Sequence, residues 1–409
     1  MAFSCLKFRC MEKNLNSRLH LLKIKISGFR LLSDSFELDL TSKARVFEKD
    51  LEKEVEEVDR GLFCFHSVAF VGGNSSGKST VLSLLLKVGE LLRSGRWEYD
   101  DFDFKGNHID LCALFYLEGK IYSYSCRLLR MKDPCSTLKA YCPIADERLF
   151  NAKYERTKGK KNLLLFEENK KEETDLFRYS LFDTSAISKL TNGKFGIDSF
   201  YTNNVVTFSE ALVRNSFYAS LKSLDAMLVS SIVRLFDESI EYMVSDDSAY
   251  VRFKRFGEEE VSLKLTELSR VLSAGTFRGV ELYIKAIKAL KEGKVLLVDE
   301  IENCFHKNLV YNLLFLFNDA SLNKNGASIL FSTHYVEILD YLSRRDNIFI
   351  THKNDGDVTI SNLYEDYDVR TELLKSKQFD NNVFNTSLNY SQLLEVRKGV
   401  ERELCSSND

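Results

Sequence analysis

Between Leu21 and Leu40 the run LLKIKISGFRLLSDSFELDL alternates apolar and polar positions around a Ser-Gly turn, which predicts two half-buried antiparallel strands. A charged stretch, KARVFEKDLEKEVEEVDRG, separates it from FCFHSVAFV, a continuous apolar run that suits one strand buried on both faces and ending at Gly72. Past a glycine-rich turn, Val81, Leu84, Leu85, Val88, Leu91 and Leu92 recur at helical spacing and predict a helix over residues 78–92. Residues 109–130 carry an EGK turn between two alternating runs and read as a hairpin.

Further along, residues 209–243 have helical periodicity, and YVRFKRFGEEEVSLKL has the turn and alternation of another hairpin. The last third is regular. A helix over 276–293 precedes the strand KVLLVDE (294–300), then come a helix HKNLVYNLLFLF, a strand ASILFST, a helix HYVEILDYLSRR and a strand NIFITHK. Such alternation predicts a parallel sheet flanked by helices. The fold class is therefore α/β: a mixed sheet flanked by helices, with an antiparallel N-terminal subdomain and an inserted helical lobe. The boundaries expected are a tail over 1–20, an N-terminal lobe over 21–130, an inserted variable lobe over 131–265, a C-terminal lobe over 266–363 and a C-terminal, partner-binding tail over 364–409. No heptad persists long enough for a coiled coil, and neither Pro134 nor Pro143 marks a linker.

Composition narrows the class. Fifty-seven basic residues against sixty acidic ones give a net charge of -3, which disfavours a strongly basic nucleic-acid binder and leaves only local contact with DNA. The Lys- and Glu-rich stretch 153–175 reads as a solvated loop. Nine cysteines without a CxxC pair fit a reducing cytoplasm better than a zinc site or disulfide framework. No apolar run is long enough to span a membrane, so no membrane partner is expected.

The glycine turn is the strongest chemical signal. Gly72, Gly73, Asn74, Ser75, Ser76, Gly77, Lys78, Ser79 and Thr80 fit the phosphate-loop pattern, in which backbone N–H groups and a helix N-terminus cradle phosphates. Lys78 would reach the β and γ phosphates, and Ser79 would ligate Mg²⁺. Downstream, VLLVDE ends a buried strand in Asp299, placed to hold the Mg²⁺ shell, and Glu300, placed to polarise the attacking water. Twenty-four residues before Asp299 stands Gly275 in Leu272, Ser273, Ala274, Gly275 and Thr276, a small polar turn opening a helix. Thirty-five residues after Asp299 stands His334, directly behind a buried strand. Taken singly, Ser273 and Gly275 would cap a helix and His334 would end a strand; in this order they form one pattern.

That order resembles the ATP-binding-cassette ATPases. GGNSSGKS stands as Walker A, LSAGT in place of the family's LSGGQ signature, VLLVDE as Walker B and His334 as the switch histidine. The resemblance implies ATP and Mg²⁺ as ligands, with Glu300 and His334 catalytic. It also implies a homodimer or higher homo-oligomer in which Ser273 and Gly275 face the nucleotide of a partner chain. Within that superfamily, IKISGFRLLSDSFELDL, DEIENCFH and LSAGTFRG look like the branch holding the overcoming-lysogenisation-defect ATPases, RecF and the SMC heads. The tail DVRTELLKSKQFDNNVFNTSLNYSQLLEV looks similar to the ends of short AAA-family ATPases of phage-defence and abortive-infection systems.

Departures from that pattern matter too. Lys307 stands where proline is common, and the only glutamines are Gln378 and Gln392, so the glutamine that couples Mg²⁺ to domain motion has no equivalent unless Asp101 or Asp103 replaces it. Asp355 and Asp357 in NDGD read as a hairpin turn rather than a nuclease metal pair. Two functions compete. One is a cytoplasmic ATP-driven switch that controls a separately encoded effector, such as a Toprim-like nuclease, in antiviral defence; the alternative is a RecF-like DNA-repair ATPase that clamps DNA in its ATP-bound dimer.

Overall fold

The N-terminal alternation forms β1 (His20–Ser27) and β2 (Phe36–Asp39), antiparallel with Ile24 opposite Leu38. Ile24, Ile26, Phe36 and Leu38 are buried, whereas Lys25 and Glu37 face outward. The structure is a computed structural model that describes residues 18–131, 140–159, 161, 163, 172–173, 185, 187–191, 194–201, 221–222, 224–245, 250–264, 267–303, 306–354, 356–368, 373–386 and 390–406. The tail over 1–17, most of the Lys/Glu-rich stretch and residues 209–220 of the expected long helix lie outside the described residues.

The charged stretch is structured, contrary to its composition. It supplies β3 (Val55–Asp59), which pairs antiparallel with β4 (Leu62–Phe65). The apolar run expected as one strand is two, β4 and then β5 (Ser67–Val71), which belong to different sheets. His66 makes the break: its N–H donates to Glu54 O at 2.9 Å, and its Nδ1 lies 3.2 Å from Ala327 O. After β5 comes α1 (Lys78–Ser94), which buries Val81, Leu84, Leu85, Val88, Leu91 and Leu92 along one side. It stops at Gly95, whose φ of 71° lets its N–H turn back to Leu91 O at 2.8 Å.

The expected hairpin is β6 (His108–Leu117) and β7 (Lys120–Leu129), joined by Glu118 and Gly119, both at positive φ as a tight two-residue turn requires. β8 (Ile144–Lys153) and the short β9 (Glu172–Glu173) extend this antiparallel sheet, whose order is β2-β1-β6-β7-β8-β9. The middle region thus contributes strands as well as helix. β10 (Ile197–Tyr201) joins the second sheet, while α2 (Ala226–Phe236) packs on a three-stranded sheet of β11 (Ile240–Ser245), β12 (Tyr250–Arg255) and β13 (Val261–Lys264). Helical periodicity over 237–243 is overridden here: the helix ends at Asp237, and residues 240–245 pair with β12 through a bulge.

The last third follows its predicted rhythm as α3 (Ala274–Glu292), β14 (Val295–Asp299), α4 (Lys307–Asn318), β15 (Ser328–Thr333), β16 (Ile348–Asn354) and β17 (Asp357–Asn362). One correction applies: after β15 there is no full helix, only a 3₁₀ turn over Val336–Asp340. α5 (Lys375–Asp380) and α6 (Tyr390–Ser406) end the described chain. The second six-stranded sheet runs β10-β14-β15-β5-β16-β17, parallel except for β17.

Two cores flank this parallel sheet. Ala69, Val71, Leu296, Val298, Ile329 and Phe331 face one side with α3 and α4, whereas Val68, Phe70, Leu297 and Leu330 face α1 and the antiparallel sheet. Both faces being covered explains why β5, β14 and β15 read as unbroken apolar runs. α1 lies between the two sheets, so the residues directly before it are held by packing on both sides.

Candidate nucleotide site

Topology assembles the site. β5, β15 and β14 are adjacent and parallel, with Val71 opposite Thr333 and Val298 opposite Phe331. Their C-terminal ends therefore deliver Gly72, His334 and Asp299 to one edge, the usual crevice of a parallel α/β sheet. On the other flank of β5, Ile350 pairs with Val71, which brings Thr351 beside Gly72.

The loop is tightly made. A Cβ on Gly72 would lie 2.5 Å from Thr351 O, and one on Gly77 would lie 2.4 Å from Val358 Cγ1, so neither position has room for a side chain. Gly77 also has φ 102° and Ser75 has φ 58°, left-handed conformations that fold the loop back toward the helix start. Ser76 is buried with its Oγ 2.7 Å from Thr351 Oγ1, whereas Asn74, Ser75 and Ser79 are exposed.

Lys78, at the first turn of α1, is buried and bends over the loop, with Nζ donating to Gly72 O at 3.0 Å and Gly73 O at 2.9 Å. Burial brings its ammonium down to about 8, although Glu302, Asp299 and Glu300 all push the other way. Its Nζ also lies 3.5 Å from His334 Nδ1. His334 is held below its ordinary value, first by burial and then by that ammonium.

Behind these groups the Walker B turn is laced to the end of β15. Ser332 Oγ donates to Asp299 Oδ1 at 2.5 Å and accepts from Glu300 N at 2.7 Å, and Ile301 N donates to Ser332 O at 3.0 Å. Glu300 has φ 51°, a strained conformation for a non-glycine residue, and Asn303 Nδ2 donates to its Oε2 at 3.1 Å. Glu302, buried, accepts the His334 N–H through Oε1 at 2.6 Å.

The predicted residues divide into two groups. Gly72 to Thr80, Asp299, Glu300 and His334 converge on one sheet edge. The signature residues form a separate turn at the start of α3, where Leu272 is buried and Ser273 caps the helix, accepting from Thr276 N at 3.0 Å. Ser273 and Ala274 are exposed. Asp103 is fully buried and accepts from Arg30 Nε at 2.9 Å; Lys87 Nζ lies 2.6 Å from its second oxygen without hydrogen-bond alignment. Asp101 is held by Arg130 and Tyr99. Both aspartates thus serve ion pairs of the fold, and neither hydrogen-bonds Ser79, Asp299 or Glu300 among the described residues.

Sequence reasoning missed Glu302, Ser332, Thr351 and the C-terminal segment. A cleft of about 200 Å³ is lined by Gly72, Gly73, Asn74, His334, Phe379 and Thr386. Phe384 is 1% exposed and packs edge-on against Tyr367 and at a tilt against Phe379, and Thr386 O would lie 3.1 Å from a Cβ on Gly73. Part of the expected tail is therefore a wall of the loop's cleft. A third acid in DEIE and the polar ends of β15 and β16 were visible signals, whereas nothing in residues 373–386 pointed to the site.

Residues 67–340 match the family model described as "AAA domain, putative AbiEii toxin, Type IV TA system". The chain belongs to this family. Membership makes it a P-loop ATPase domain of the AAA type. Among solved structures, the SMC head domain from Thermotoga maritima is similar at 10% identity and a TM-score of 0.41, covering 84% of this chain and 98% of that one. No curated protein matches the chain. Among its described residues no helix is long and apolar enough to cross a membrane.

Proposed function

We propose that this AAA-family member binds ATP with Mg²⁺, hydrolyses it, and uses the cycle to close and open a dimer. The observation that carries the reading is the convergence of Lys78, Asp299, Glu300 and His334 on the edge formed by β5, β15 and β14. Two glycines without room for a Cβ, an exposed Ser79 hydroxyl and a carboxylate oriented by Ser332 make a donor set that fits a metal-bound triphosphate.

In this mechanism Lys78 gives up the Gly72 and Gly73 carbonyls for the β and γ phosphates, exchanging two neutral acceptors for charged ones. Ser79 and Asp299 would hold Mg²⁺, which would supply positive charge against the phosphate oxygens. Glu300, held by Asn303, takes the proton of the attacking water. His334 hydrogen-bonds the γ-phosphate and so registers its loss. The Ser273 and Gly275 turn, at the start of α3 with Ser273 exposed and Gly275 half-buried, reaches the nucleotide of a second copy, so two chains enclose two ATP molecules.

The family's description, a putative AbiEii toxin of a type IV toxin–antitoxin system, supports a role in such a system, and within it we read the chain as a switch that governs a separately encoded effector in antiviral defence. The test is phosphate release from ATP without any added acceptor, for wild type and Lys78→Ala, alongside affinity purification that retains bound proteins. The reading expects turnover that Lys78→Ala abolishes and a co-purifying effector. Equal turnover in both proteins would refute the site, and purification without an effector, with and without ATP, would refute the switch.

A further inference from the structure

Glu302 is the buried acid that the proposed chemistry leaves unused. The left-handed turn at Glu300 redirects the chain after β14, and this carries the Glu302 side chain back under the end of β15. One oxygen, Oε1, accepts the His334 backbone N–H at 2.6 Å. The other, Oε2, is fully buried and has no hydrogen-bond partner. With only 8% of the residue exposed, a carboxylate oxygen left bare in this way is costly unless a donor arrives there.

The surroundings indicate what kind of donor that is. Glu302 is the foremost of the carboxylates acting on the Lys78 ammonium, ahead of Asp299 and Glu300, which sets it close to the lysine of the loop. Lys78 Nζ itself is occupied by the Gly72 and Gly73 carbonyls and lies beside His334 Nδ1. A chain of contacts therefore runs from Glu302 through the His334 peptide to the His334 ring and on to Lys78.

We propose that Glu302 is a positioning residue: one oxygen fixes His334 in register with the phosphate loop, and the other accepts a hydrogen bond from a water of the metal–nucleotide complex. The inference rests on the ATPase reading above and adds to it a second acid that orders water without taking its proton. Glu302 breaks no bond in this role; Glu300 remains the base. A purely structural Glu302 would need only the Oε1 contact, which glutamine reproduces.

The test therefore compares Glu302→Gln, which keeps an oxygen for the His334 amide, with Glu302→Ala, which keeps none. Readouts are kcat and KM for ATP, affinity for a fluorescent ATP analogue with Mg²⁺ and with EDTA, and hydrogen exchange at residues 332–335. For Glu302→Gln the expected result is a kcat at least tenfold lower, KM within threefold of wild type, a smaller Mg²⁺-dependent gain in affinity, and unchanged exchange at His334. For Glu302→Ala, exchange at His334 accelerates as well.

A Glu302→Gln protein with wild-type kcat and Mg²⁺ response would overturn the water-ordering role, and unchanged exchange in Glu302→Ala would overturn the clamp. Should either variant fail to fold, exchange in wild type decides the clamp, because a held amide is protected and an unprotected His334 N–H contradicts it. Lys78→Ala is run beside them. Loss of binding there with a silent Glu302→Gln rejects this inference alone, whereas undiminished binding in Lys78→Ala rejects the ATPase reading beneath it.

Discussion

The Ser332 hydroxyl donates to Asp299 Oδ1 at 2.5 Å while accepting the Glu300 N–H at 2.7 Å. One side chain from β15 thereby fixes both acids at the end of β14, strand to strand, before any ligand is considered. Ser332→Ala should free the Asp299 carboxylate and leave the Glu300 amide without its acceptor. We expect a loss of about 1.5–3 kcal/mol in stability, as for hydrogen bonds to charged groups, together with a higher Mg²⁺ requirement. Urea denaturation and a Mg²⁺ titration of ATP turnover check the two effects separately.

Gly77 is constrained twice, by φ 102° and by Val358, whose Cγ1 would sit 2.4 Å from an added Cβ. Gly77→Ala should therefore cost about 1–3 kcal/mol through backbone strain alone, with a steric cost added. Val358→Ala introduced beside it should recover the steric part and leave the strain. Denaturation of the single and double variants reads the difference, and full recovery would show that the backbone conformation is not needed.

Much of this architecture was legible in the sequence because the parallel strands are covered on both faces and the helices between them on one. That is why KVLLVDE and ASILFST stood out as strands, and why the spacing of Val81 to Leu92 marked α1. The misreadings share a cause: nonlocal contacts override local pattern. His66 splits an apolar run because its N–H is claimed by Glu54 O, and residues 240–245 leave the helical pattern because β12 pairs with them. In the candidate site, glycine spacing and the DE pair picked out the loop and the acids that converge on one sheet edge. Thr351 and Thr386 reach it only through sheet order and the packing of Phe379 and Phe384, which local pattern does not encode.

The C-terminal wall offers a third prediction. Phe384 is 1% exposed and anchors residues 373–386 through Phe379 and Tyr367, while Lys375 Nζ donates to Leu342 O at 2.7 Å. Phe384→Ala should loosen this segment most, because residues 375–386 pair with neither sheet and join the core beside α3 and α4 through Phe379 and Phe384. Hydrogen exchange should rise over residues 375–386 and at Gly73 and Asn74 without a comparable rise in β5. A uniform rise over the whole chain would show instead that the segment opens only when the rest of the core unfolds.

Near the far end of β5's sheet, burial lifts the Glu56 carboxyl to about 7, with Arg18 only partly offsetting it. A carboxyl raised on folding contributes stability below its ordinary value near 4.5 and loses that contribution as pH rises through 7. His66 is lowered to about 4 by burial, so it works the opposite way, adding stability above 6.5 and losing it as pH falls through 4. The two slopes oppose each other in wild type. Glu56→Gln removes one of them, so we expect it to stabilise the protein by about 3 kcal/mol at pH 8 and only about 1 kcal/mol at pH 5, measured by urea denaturation at both values. A gain independent of pH would contradict an ionised, buried Glu56.

The proposed mechanism requires nucleotide to bring two chains together. Mass photometry of wild type and Glu300→Gln, each with and without ATP and Mg²⁺, tests this most directly. We expect ATP with Mg²⁺ to shift Glu300→Gln from monomer to a lasting dimer or larger assembly, and wild type to show the shift only while ATP remains. A chain that stays monomeric in every condition would contradict a signature turn acting across two copies.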